Sequence, residues 1–561
     1  MKKFILCILL ISLKAFSLMP YEIIVLANNQ SQDSLKVANH FVQMRNIPLR
    51  NLIYVDVPQK TYNGTASCTP EEFTEYIWNP VNQVITARGL EDQVLAWVYS
   101  VDFPIRVITD TIDSRQMSIC GYTFLRNESI QLSLVENGNY LSKLFLGPNK
   151  EIPFYLPSRS LSYFKHNYFT NNNEVVKDFP KIQSQDEMPL PSMMLGYIGE
   201  NGNTVDTVLK TLQIGKRSDF LGQKEGIWFF TNNNVRSTCR SWQYPGIQER
   251  LTARGISSEI TNEMPNNNSN IMGVLCGKEW INTKSIGSFA PGAVAEHLTS
   301  WSAEFQRPQT KCTSWIEAGA TATSGSVVEP YSNPNKFISA RFFEHYIAGC
   351  SILESFYQSI ASPLQQLFLG EPLARPYSPY INVDILGPSR LTRSCNYMVS
   401  AQNPFKNKNI EYTYLIDGKI SKISSNDYNY FVDINDLSDG YHELTVFVNI
   451  DNLVKFYGME TINFSVDRFG RSIDITENLI TKIGSKYILK PIIKGKTKPN
   501  KIRIVYGEMS LDEKNYGENT ELTFDQQDVG EGPCHIQIQT IYDDNMLVSS
   551  APLYLNVIYS D

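Results

Sequence analysis

The sequence predicts a three-layer α/β domain with a mostly parallel sheet, followed by two all-β sandwiches of immunoglobulin-like type. The chain has 561 residues, which is too long for one hydrophobic core. Apolar runs alternate with helix-like segments up to about residue 385, which is typical of a parallel sheet covered by helices. Beyond that point short alternating strands and Asp-Gly turns replace the helices, which is typical of β-sandwiches.

The first elements predict a β-α-β unit. Residues 22–27 are predicted as a strand covered on both faces, because a continuous apolar run follows Glu22. Ser31 or Asp33 caps the following helix, which runs to about Met44. Residues 51–56 form the next strand, so the two strands should be parallel and joined by a right-handed crossover.

The alternation continues to about residue 385. Further strands are predicted at 94–99, 192–198, 226–230, 270–275 and 318–328. Helices are predicted from Thr69, from about 203, over 242–255, around 297 and over about 335–348. Residues 110–190 are rich in Asn, Tyr and Pro, which indicates loops and an insertion. We expect the strands to form one sheet whose loops meet at one edge.

The pattern changes near Pro376, and this change sets the predicted domain boundaries. Strands are predicted at 412–416, 430–432, 444–448 and 461–466, and then at 487–489, 502–505, 535–539 and 553–558. The predicted division is a signal peptide at 1–17, an α/β domain at 18–385, a first sandwich at 386–467 and a second at 468–561. One larger sandwich is the alternative.

The first 17 residues have the pattern of a secretory signal peptide. Lys2 and Lys3 precede an apolar stretch at 4–13, and residues 15–17 (Ala-Phe-Ser) form a small-x-small cleavage site. The apolar stretch is shorter than the roughly 20 residues that span a bilayer, and no later segment is apolar enough. We therefore expect an exported protein, secreted or at the cell surface, with no integral membrane segment after signal removal.

The composition argues against several functions. Hydrophobic residues make up 42% of the chain and charged residues 19%, so it can bury a core and is not disordered. The formal net charge is −7 and there is no run of Lys and Arg, which argues against a nucleic-acid partner. Only six histidines are present, and no metal site or cofactor is predicted.

Eight cysteines follow the predicted signal peptide, and none forms a Cys-x-x-Cys pair. This spacing excludes a zinc ribbon, and the length excludes a small disulfide scaffold. An oxidising compartment permits one or two disulfides. Buried thiols that act as small hydrophobic residues are the alternative.

Four acidic residues are candidates for a binding or catalytic site. Asp102, Glu329 and Glu371 follow predicted strands, and Glu296 is the fourth candidate acid. Because sites form outside the carboxyl ends of parallel strands, these carboxylates are expected to share one crevice, with Arg106 beside them. Such a cluster binds a cation or acts as acid and base. The alternative is turns and ion pairs with the arginines Arg106, Arg341 and Arg375.

Five phrases of the α/β part stand out: IVLANNQSQDSLKVANHFVQMRNIP, VLAWVYSVDFPIRV, SFAPGAVAEHLTS, WIEAGATATSGSVVEPYSNPNKF and FLGEPLARP. Through these phrases the α/β part resembles a family of exported bacterial proteins of unknown activity that occur mostly in organisms with the exosortase protein-sorting system. They occur in this order between the predicted mature N-terminus and about residue 376. The resemblance does not extend into the sandwiches.

A predicted strand ends at Cys276, and Ala295-Glu296 follow it in a predicted helix. This order of parts is more distantly similar to the gingipain-like, caspase-fold cysteine peptidases, and the similarity implies Cys276 as the nucleophile. His297 and Glu296 are its candidate catalytic partners, although His297 stands in the wrong order for the caspase-like arrangement. The Gly-His-Gly phrase of those peptidases is absent: the strand at 226–230 is followed by Thr-Asn-Asn. A thiol needs a neighbouring imidazole to lower its pKa, so a buried and inert Cys276 is the alternative.

Two functions remain open from the sequence. The first is a surface- or envelope-associated accessory protein that binds a cell-surface protein or a glycan through a non-catalytic caspase-like domain, with the sandwiches as spacers or adhesion modules. The second is a secreted cysteine peptidase-like hydrolase that uses Cys276. Activation of the Cys276 thiol distinguishes them.

Overall fold

The computed structural model describes residues 18–62, 64–126, 128–147, 157–167, 188–222, 226–232, 235–405, 408–450, 452–517 and 520–559. The predicted signal peptide at 1–17 lies outside the described residues, as do parts of the irregular stretch 110–190.

The α/β part contains fourteen strands and twelve α-helices among these residues. The strands are β1 Ile23–Asn28, β2 Leu52–Val55, β3 Thr61–Tyr62, β4 Thr65–Cys68, β5 Ala96–Tyr99, β6 Arg106–Val107, β7 Met117–Ser118, β8 Ser192–Met194, β9 Ile227–Thr231, β10 Ser258–Thr261, β11 Asn268–Cys276, β12 Gly287–His297, β13 Ala322–Ser326 and β14 Gln366–Gly370. The helices are α1 Gln32–Arg45, α2 Pro70–Phe73, α3 Asn79–Arg88, α4 Ile119–Phe124, α5 Leu132–Asn137, α6 Leu161–Asn167, α7 Val205–Ser218, α8 Val235–Ser241, α9 Tyr244–Thr252, α10 Thr313–Glu317, α11 Phe342–Ile347 and α12 Ile352–Ser359.

Ten of these strands form one central sheet in the order β10-β9-β11-β12-β13-β14-β8-β5-β1-β2. β1 pairs in parallel with both β2 and β5, and β11 pairs in parallel with both β9 and β12. The strands predicted at 94–99, 270–275 and 318–328 therefore lie in one mostly parallel sheet, as expected. The short strands β3, β4, β6 and β7 form a separate small sheet beside it.

β14 is the strand that runs against the others. It is antiparallel to β13 over five residue pairs and meets β8 at one pair, Leu369 with Met194, which has a parallel bridge pattern. The Gln365 side-chain amide, just before β14, donates to the carbonyl oxygen of Ser114, which lies beyond the carboxyl end of β5. Glu371, just after β14, accepts from Arg45 at the C-terminal end of α1. The chain runs from this end of α1 to the start of β2, so β14 ends at the edge where β2 begins. β14 as a whole therefore also runs opposite to β8, β5 and β1.

The first helix begins and ends where local chemistry requires. The Ser31 hydroxyl accepts a hydrogen bond from the Ser34 amide at 3.0 Å, so Ser31 is the N-cap of α1. Asn46 ends the helix in the left-handed conformation with φ of 51°. Thr69 and Glu72 form a capping box at the start of α2. The predicted starts of both helices are confirmed.

One predicted helix is a strand. The segment around residue 297 was expected to be helical, yet Gly287–His297 forms β12, between β11 and β13. Its Ala and Gly residues favour close packing between two neighbouring strands, and this burial overrides the helix propensity of alanine. The helix predicted over 335–348 is also shorter, because only Phe342–Ile347 is α-helical.

The all-β part contains eighteen strands among the described residues. The first group is β15 Val383–Leu386, β16 Arg390–Leu391, β17 Cys395–Ala401, β18 Ile410–Ile416, β19 Lys419–Ser425, β20 Asn429–Val432, β21 Asp439–Ile450 and β22 Phe456–Val466. The second group is β23 Ser472–Asp474, β24 Ile480–Ile483, β25 Lys486–Leu489, β26 Ile492–Lys494, β27 Lys501–Tyr506, β28 Met509–Asn515, β29 Leu522–Asp525, β30 Gly532–Ile541, β31 Leu547–Ser549 and β32 Leu553–Val557, with helix α13 at Gln526–Val529. β15 pairs with β17, so the all-β part begins slightly before residue 386.

The two groups of strands share one continuous sheet. β21 of the first group pairs in parallel with β31 of the second, where Asp439 lies opposite Val548 and Gly440 opposite Ser549. The sheet continues from β31 to β30 and β27. Two separate sandwiches were predicted, and the structure adds that this sheet joins them edge to edge.

Both groups also pack against the α/β part. The Asn39 amide in α1 donates to the Val529 carbonyl oxygen at 2.7 Å, and the Tyr506 hydroxyl donates to Asn39 Oδ1 at 2.7 Å. Tyr21, before β1, packs edge-on against Phe447 of β21 at 4.8 Å. Within the described ranges, no helix combines the length and apolar character needed to cross a bilayer.

Candidate functional site

Cys276 and His297 end neighbouring strands but do not form a catalytic pair. The two residues lie opposite each other in the register of β11 and β12, and both side chains are fully buried. The Cys276 thiol points to the carbonyl oxygen of Glu296, with Sγ and O 3.8 Å apart. Burial raises the pKa of the Cys276 thiol well above its ordinary value. This thiol is therefore not activated as a nucleophile.

The His297 ring has both nitrogens engaged elsewhere. Its Nδ1 accepts a hydrogen bond from Trp315 Nε1 at 2.9 Å, and its Nε2 lies 3.1 Å from the Thr310 carbonyl oxygen, to which it donates. These bonds require the neutral imidazole with its proton on Nε2. Burial lowers the pKa of His297 to about 4. No nitrogen of this ring is available to take a proton from Cys276.

Glu296 belongs to a buried ion pair. Its Oε2 lies 2.5 Å from Nη2 of Arg240 in α8, and both side chains are about 1% exposed. Arg240 also donates to the carbonyl oxygens of Cys276 and Ile338. These bonds link the ends of β11 and β12 to α8 through Arg240 and to α10 through Trp315. They involve all three predicted catalytic residues, Cys276, His297 and Glu296. These residues do not form a site open to a substrate.

Asp102 lies at the carboxyl end of β5, as predicted. Its backbone has φ of 59°, a conformation that non-glycine residues adopt rarely. The Ser31 hydroxyl donates to Asp102 Oδ2 at 2.5 Å, and the side-chain Nδ2 of Asn28 donates to the Asp102 carbonyl oxygen at 3.0 Å. Burial raises the pKa of Asp102. These bonds connect the carboxyl ends of β1 and β5 with the N-terminus of α1.

Arg106 makes a buried ion pair with a residue that the sequence did not point to. Its Nη1 lies 2.7 Å from Oε2 of Glu304, and the Thr65 hydroxyl donates to the other Glu304 oxygen at 2.5 Å. Glu304 follows β12, so the pair joins the loops after β5 and β12 at one edge of the sheet. Arg106 is 6% exposed, so its side chain has little contact with solvent.

The predicted crevice of acids does not exist. Glu371 follows β14 and lies at the opposite edge, where Nε of Arg45 donates to its Oε1 at 2.9 Å and a second Arg45 nitrogen pairs with its Oε2. Glu329 follows β13 and accepts from the Tyr331 amide in a turn, with β14 and β8 between β13 and β5. The prediction of a shared site with Asp102 is wrong for Glu371, because the antiparallel β14 carries it to the opposite edge, and Glu329 is separated from Asp102 by two intervening strands. The alternative of turns and ion pairs describes these acids better, although with Arg45 and not Arg375.

A cleft that sequence reasoning missed lies between the C-terminal end of α1 and the sheet shared by the two sandwiches. Its volume is about 750 Å³. One wall is the segment 46–50, and the floor is the outward face of β21, β22, β30 and β32. We call it the junction cleft. Its walls come from three distant parts of the chain, so no local pattern could reveal it.

The junction cleft is lined by aromatic, amide, hydroxyl and carboxylate groups. The Tyr441 hydroxyl donates to Glu443 Oε1 at 2.8 Å. Tyr554 pairs with His535 across β32 and β30, with ring centroids 4.3 Å apart, and the Tyr554 side chain is 54% exposed. Burial raises the pKa of Glu443, and the nearby Asp417 carboxylate adds to the rise. The cleft therefore offers an open aromatic face beside a carboxylate that accepts hydrogen bonds.

Neither cysteine bridges nor a metal centre occurs in the part of the chain that the structure describes. None of the eight cysteines there is in a disulfide; six are buried, and Cys239 and Cys395 are partly exposed. No group of three or more His, Cys, Asp or Glu side chains is placed to hold a metal ion.

Comparison with known proteins gives little further information. No protein-family model matches the chain, and no curated protein matches it. A solved structure described as a protease covers 80% of this chain and 98% of its own, at 9% identity and a TM-score of 0.39. Fibronectin(III)-like modules of Clostridium thermocellum CbhA cover 32% and 94%, at 10% identity and a TM-score of 0.14. SGBP-B of the Bacteroides ovatus mixed-linkage glucan utilization locus, in complex with a mixed-linkage heptasaccharide, covers 31% and 47%, at 14% identity and a TM-score of 0.20. These scores are too low to support an argument about function.

Proposed function

We propose that the protein is an exported, surface- or envelope-associated binding protein whose ligand occupies the junction cleft. The observation that carries the proposal is the cleft itself. Its volume of about 750 Å³ lies within the range of about 300–1,000 Å³ for small-molecule sites, and such sites occur preferentially where domains meet. In this proposal the α/β domain is not a peptidase, since the Cys276 thiol is buried and has no imidazole partner.

The charge of the junction cleft disfavours an anionic ligand. Its lining contains four carboxylates, from Asp417, Glu443, Glu460 and Glu508. It also contains the positively charged Arg50. Arg50 lies 3.7 Å from Glu508, which offsets its charge. An anionic ligand would meet like charges here, and like-charge contacts cost free energy.

The remaining side chains of the cleft favour a sugar. Gln537 and Gln539 lie on the same face of β30 as His535. Gln537 Nε2 donates to the Ser550 carbonyl oxygen, and Gln539 is bonded to Arg503 and Ser549. Each amide oxygen has two lone pairs, so it can accept a further hydrogen bond from a sugar hydroxyl. The exposed ring of Tyr554 provides a flat apolar face for the C–H face of a pyranose. We propose an uncharged oligosaccharide as the ligand, which corresponds to the glycan partner expected from the sequence.

A glycan array followed by calorimetry tests this function. The mature full-length chain should bind uncharged oligosaccharides, and Tyr554→Ala should weaken that binding by about tenfold or more, the equivalent of about 1.4 kcal/mol. Tyr380→Ala is the matched control, because Tyr380 is 65% exposed and lies outside the cleft. Equal binding by wild type and Tyr554→Ala, or binding restricted to acidic glycans, would contradict the proposal.

A further inference from the structure

The first described residue of the chain is buried at its backbone nitrogen. Leu18 is 1% exposed, and its N–H group donates to Oε1 of Glu354 at 3.1 Å. Met19 and Tyr21, which follow, are also buried. Leu18 therefore lies inside the molecule, against the start of α12.

Glu354 is a fully buried carboxylate whose two oxygens both accept hydrogen bonds. Oε1 accepts from the Leu18 amide and from the Leu161 amide at 3.0 Å. Oε2 accepts from the Ser351 amide at 2.9 Å and from the Ser351 hydroxyl at 3.0 Å, as part of the capping box of α12. A buried carboxylate is strongly stabilised by a positive charge in hydrogen-bond contact.

The sequence places a cleavage site directly before this nitrogen. Residues 15–17 are Ala-Phe-Ser, the small-x-small pattern that a signal peptidase recognises. Hydrolysis of the Ser17–Leu18 peptide bond consumes one water molecule. Ser17 leaves with a new carboxylate at its carbonyl carbon, and Leu18 keeps the nitrogen, which takes up a proton and becomes an ammonium group.

We propose that cleavage between Ser17 and Leu18 is a maturation step that completes the fold, because the new ammonium group of Leu18 forms a buried ion pair with Glu354. The inference rests on the export in the proposed function, but not on the junction cleft. Before cleavage the same nitrogen is the neutral amide of the Ser17–Leu18 peptide bond. After cleavage the site holds one positive and one negative charge in direct contact.

A double-mutant cycle tests the ion pair. One form of the full mature chain begins at Leu18, released from a removable fusion that leaves no extra residue. A second form carries Gly-Ser before Leu18, which replaces the ammonium group by an amide. Both forms are made with Glu354 and with Glu354→Gln, and their melting temperatures are compared. Ser351→Ala is the control background, because it weakens the cap of α12 and leaves the carboxylate in place.

The ion pair predicts coupling between the N-terminus and Glu354. The Gly-Ser extension should lower the melting temperature by about 5 °C in the wild type and in Ser351→Ala, and by less than about 1 °C in Glu354→Gln. Equal losses in all backgrounds would indicate a steric effect and overturn the inference. No loss in any background would overturn it as well.

Mass spectrometry of the exported protein tests the cleavage separately. We expect an N-terminus at Leu18. An exported chain that begins at another residue would overturn the maturation step. A chain that is not exported would contradict the proposed function, while the melting experiment still decides whether the ion pair forms.

Discussion

At the scale of single residues, the most informative group is the buried Cys276 thiol. It lies at the end of β11, as the resemblance to caspase-fold peptidases implies. His297 lies opposite it in β12, but the His297 ring is hydrogen-bonded to Trp315 and Thr310. The sequence shows that His297 follows Cys276 by 21 residues. It could not show which way the imidazole nitrogens point, because those bonds depend on residues that lie beyond β12.

Thiol labelling gives a direct prediction. At neutral pH the partly exposed Cys239 and Cys395 should react with iodoacetamide first, and Cys276 should react only when the protein unfolds, since burial raises the pKa of its thiol. Labelled sites are identified by peptide mass spectrometry over time. If Cys276 reacted faster than Cys239 and Cys395 in the folded protein, the non-catalytic account of this residue would fail.

The low pKa of His297 predicts a dependence of stability on pH. Its pKa is about 4 in the folded protein, against an ordinary value of 6.5. As the pH falls, His297 is therefore protonated in the unfolded chain before it is protonated in the folded protein. The contribution of neutral His297 to stability is complete above pH 6.5 and is lost as the pH falls from 6.5 to 4. Urea unfolding of His297→Gln and wild type should show a flatter profile for the variant over this range. Parallel profiles would contradict the assigned protonation state.

At the scale of elements, most strands of the central sheet were predictable from the sequence. The strand character of β12 and the direction of β14 were not. The buried apolar run before Asn28 and the cap at Ser31 act locally, so β1 and α1 were predictable. β12 has an alanine- and glycine-rich sequence, and only its position between β11 and β13 makes it a strand. The direction of β14 depends on long-range pairing, so the separation of Glu371 from Asp102 could not be predicted.

The Arg240–Glu296 ion pair that joins α8 to β12 should be important for stability. Glu296→Gln should lower the free energy of unfolding by about 3–5 kcal/mol, because it leaves the Arg240 charge buried without a carboxylate. Glu317→Gln is the control, since Glu317 meets Lys284 at 3.9 Å on the surface and should change stability by less than about 1 kcal/mol. Equal effects of the two substitutions in urea unfolding would contradict this role.

At the scale of the whole molecule, the sandwiches are docked on the α/β part and are not free spacers. Asn39 of α1 is bonded to Val529 and Tyr506, and the junction cleft exists only because these parts meet. The sequence predicted the parts and their order. Their contacts join residues that are several hundred positions apart, for which a single sequence contains no local signal.

Breaking the contact between α1 and the second sandwich should affect both stability and binding. Asn39→Ala removes two buried hydrogen bonds and should lower the free energy of unfolding by about 2 kcal/mol, with weaker oligosaccharide binding because a wall of the cleft shifts. Asn396→Ala, at an exposed position of β17, is the control. Wild-type stability of Asn39→Ala in urea unfolding would indicate that the docking does not depend on this contact.

The most direct test of the binding account is hydrogen–deuterium exchange of the mature protein with and without a bound oligosaccharide. The account predicts slower exchange in the segment 46–50 and in β21, β30 and β32, which form the junction cleft. Slower exchange confined to the loops after β5 and β12, around Asp102 and Glu304, would place the ligand at the edge of the central sheet and contradict the account.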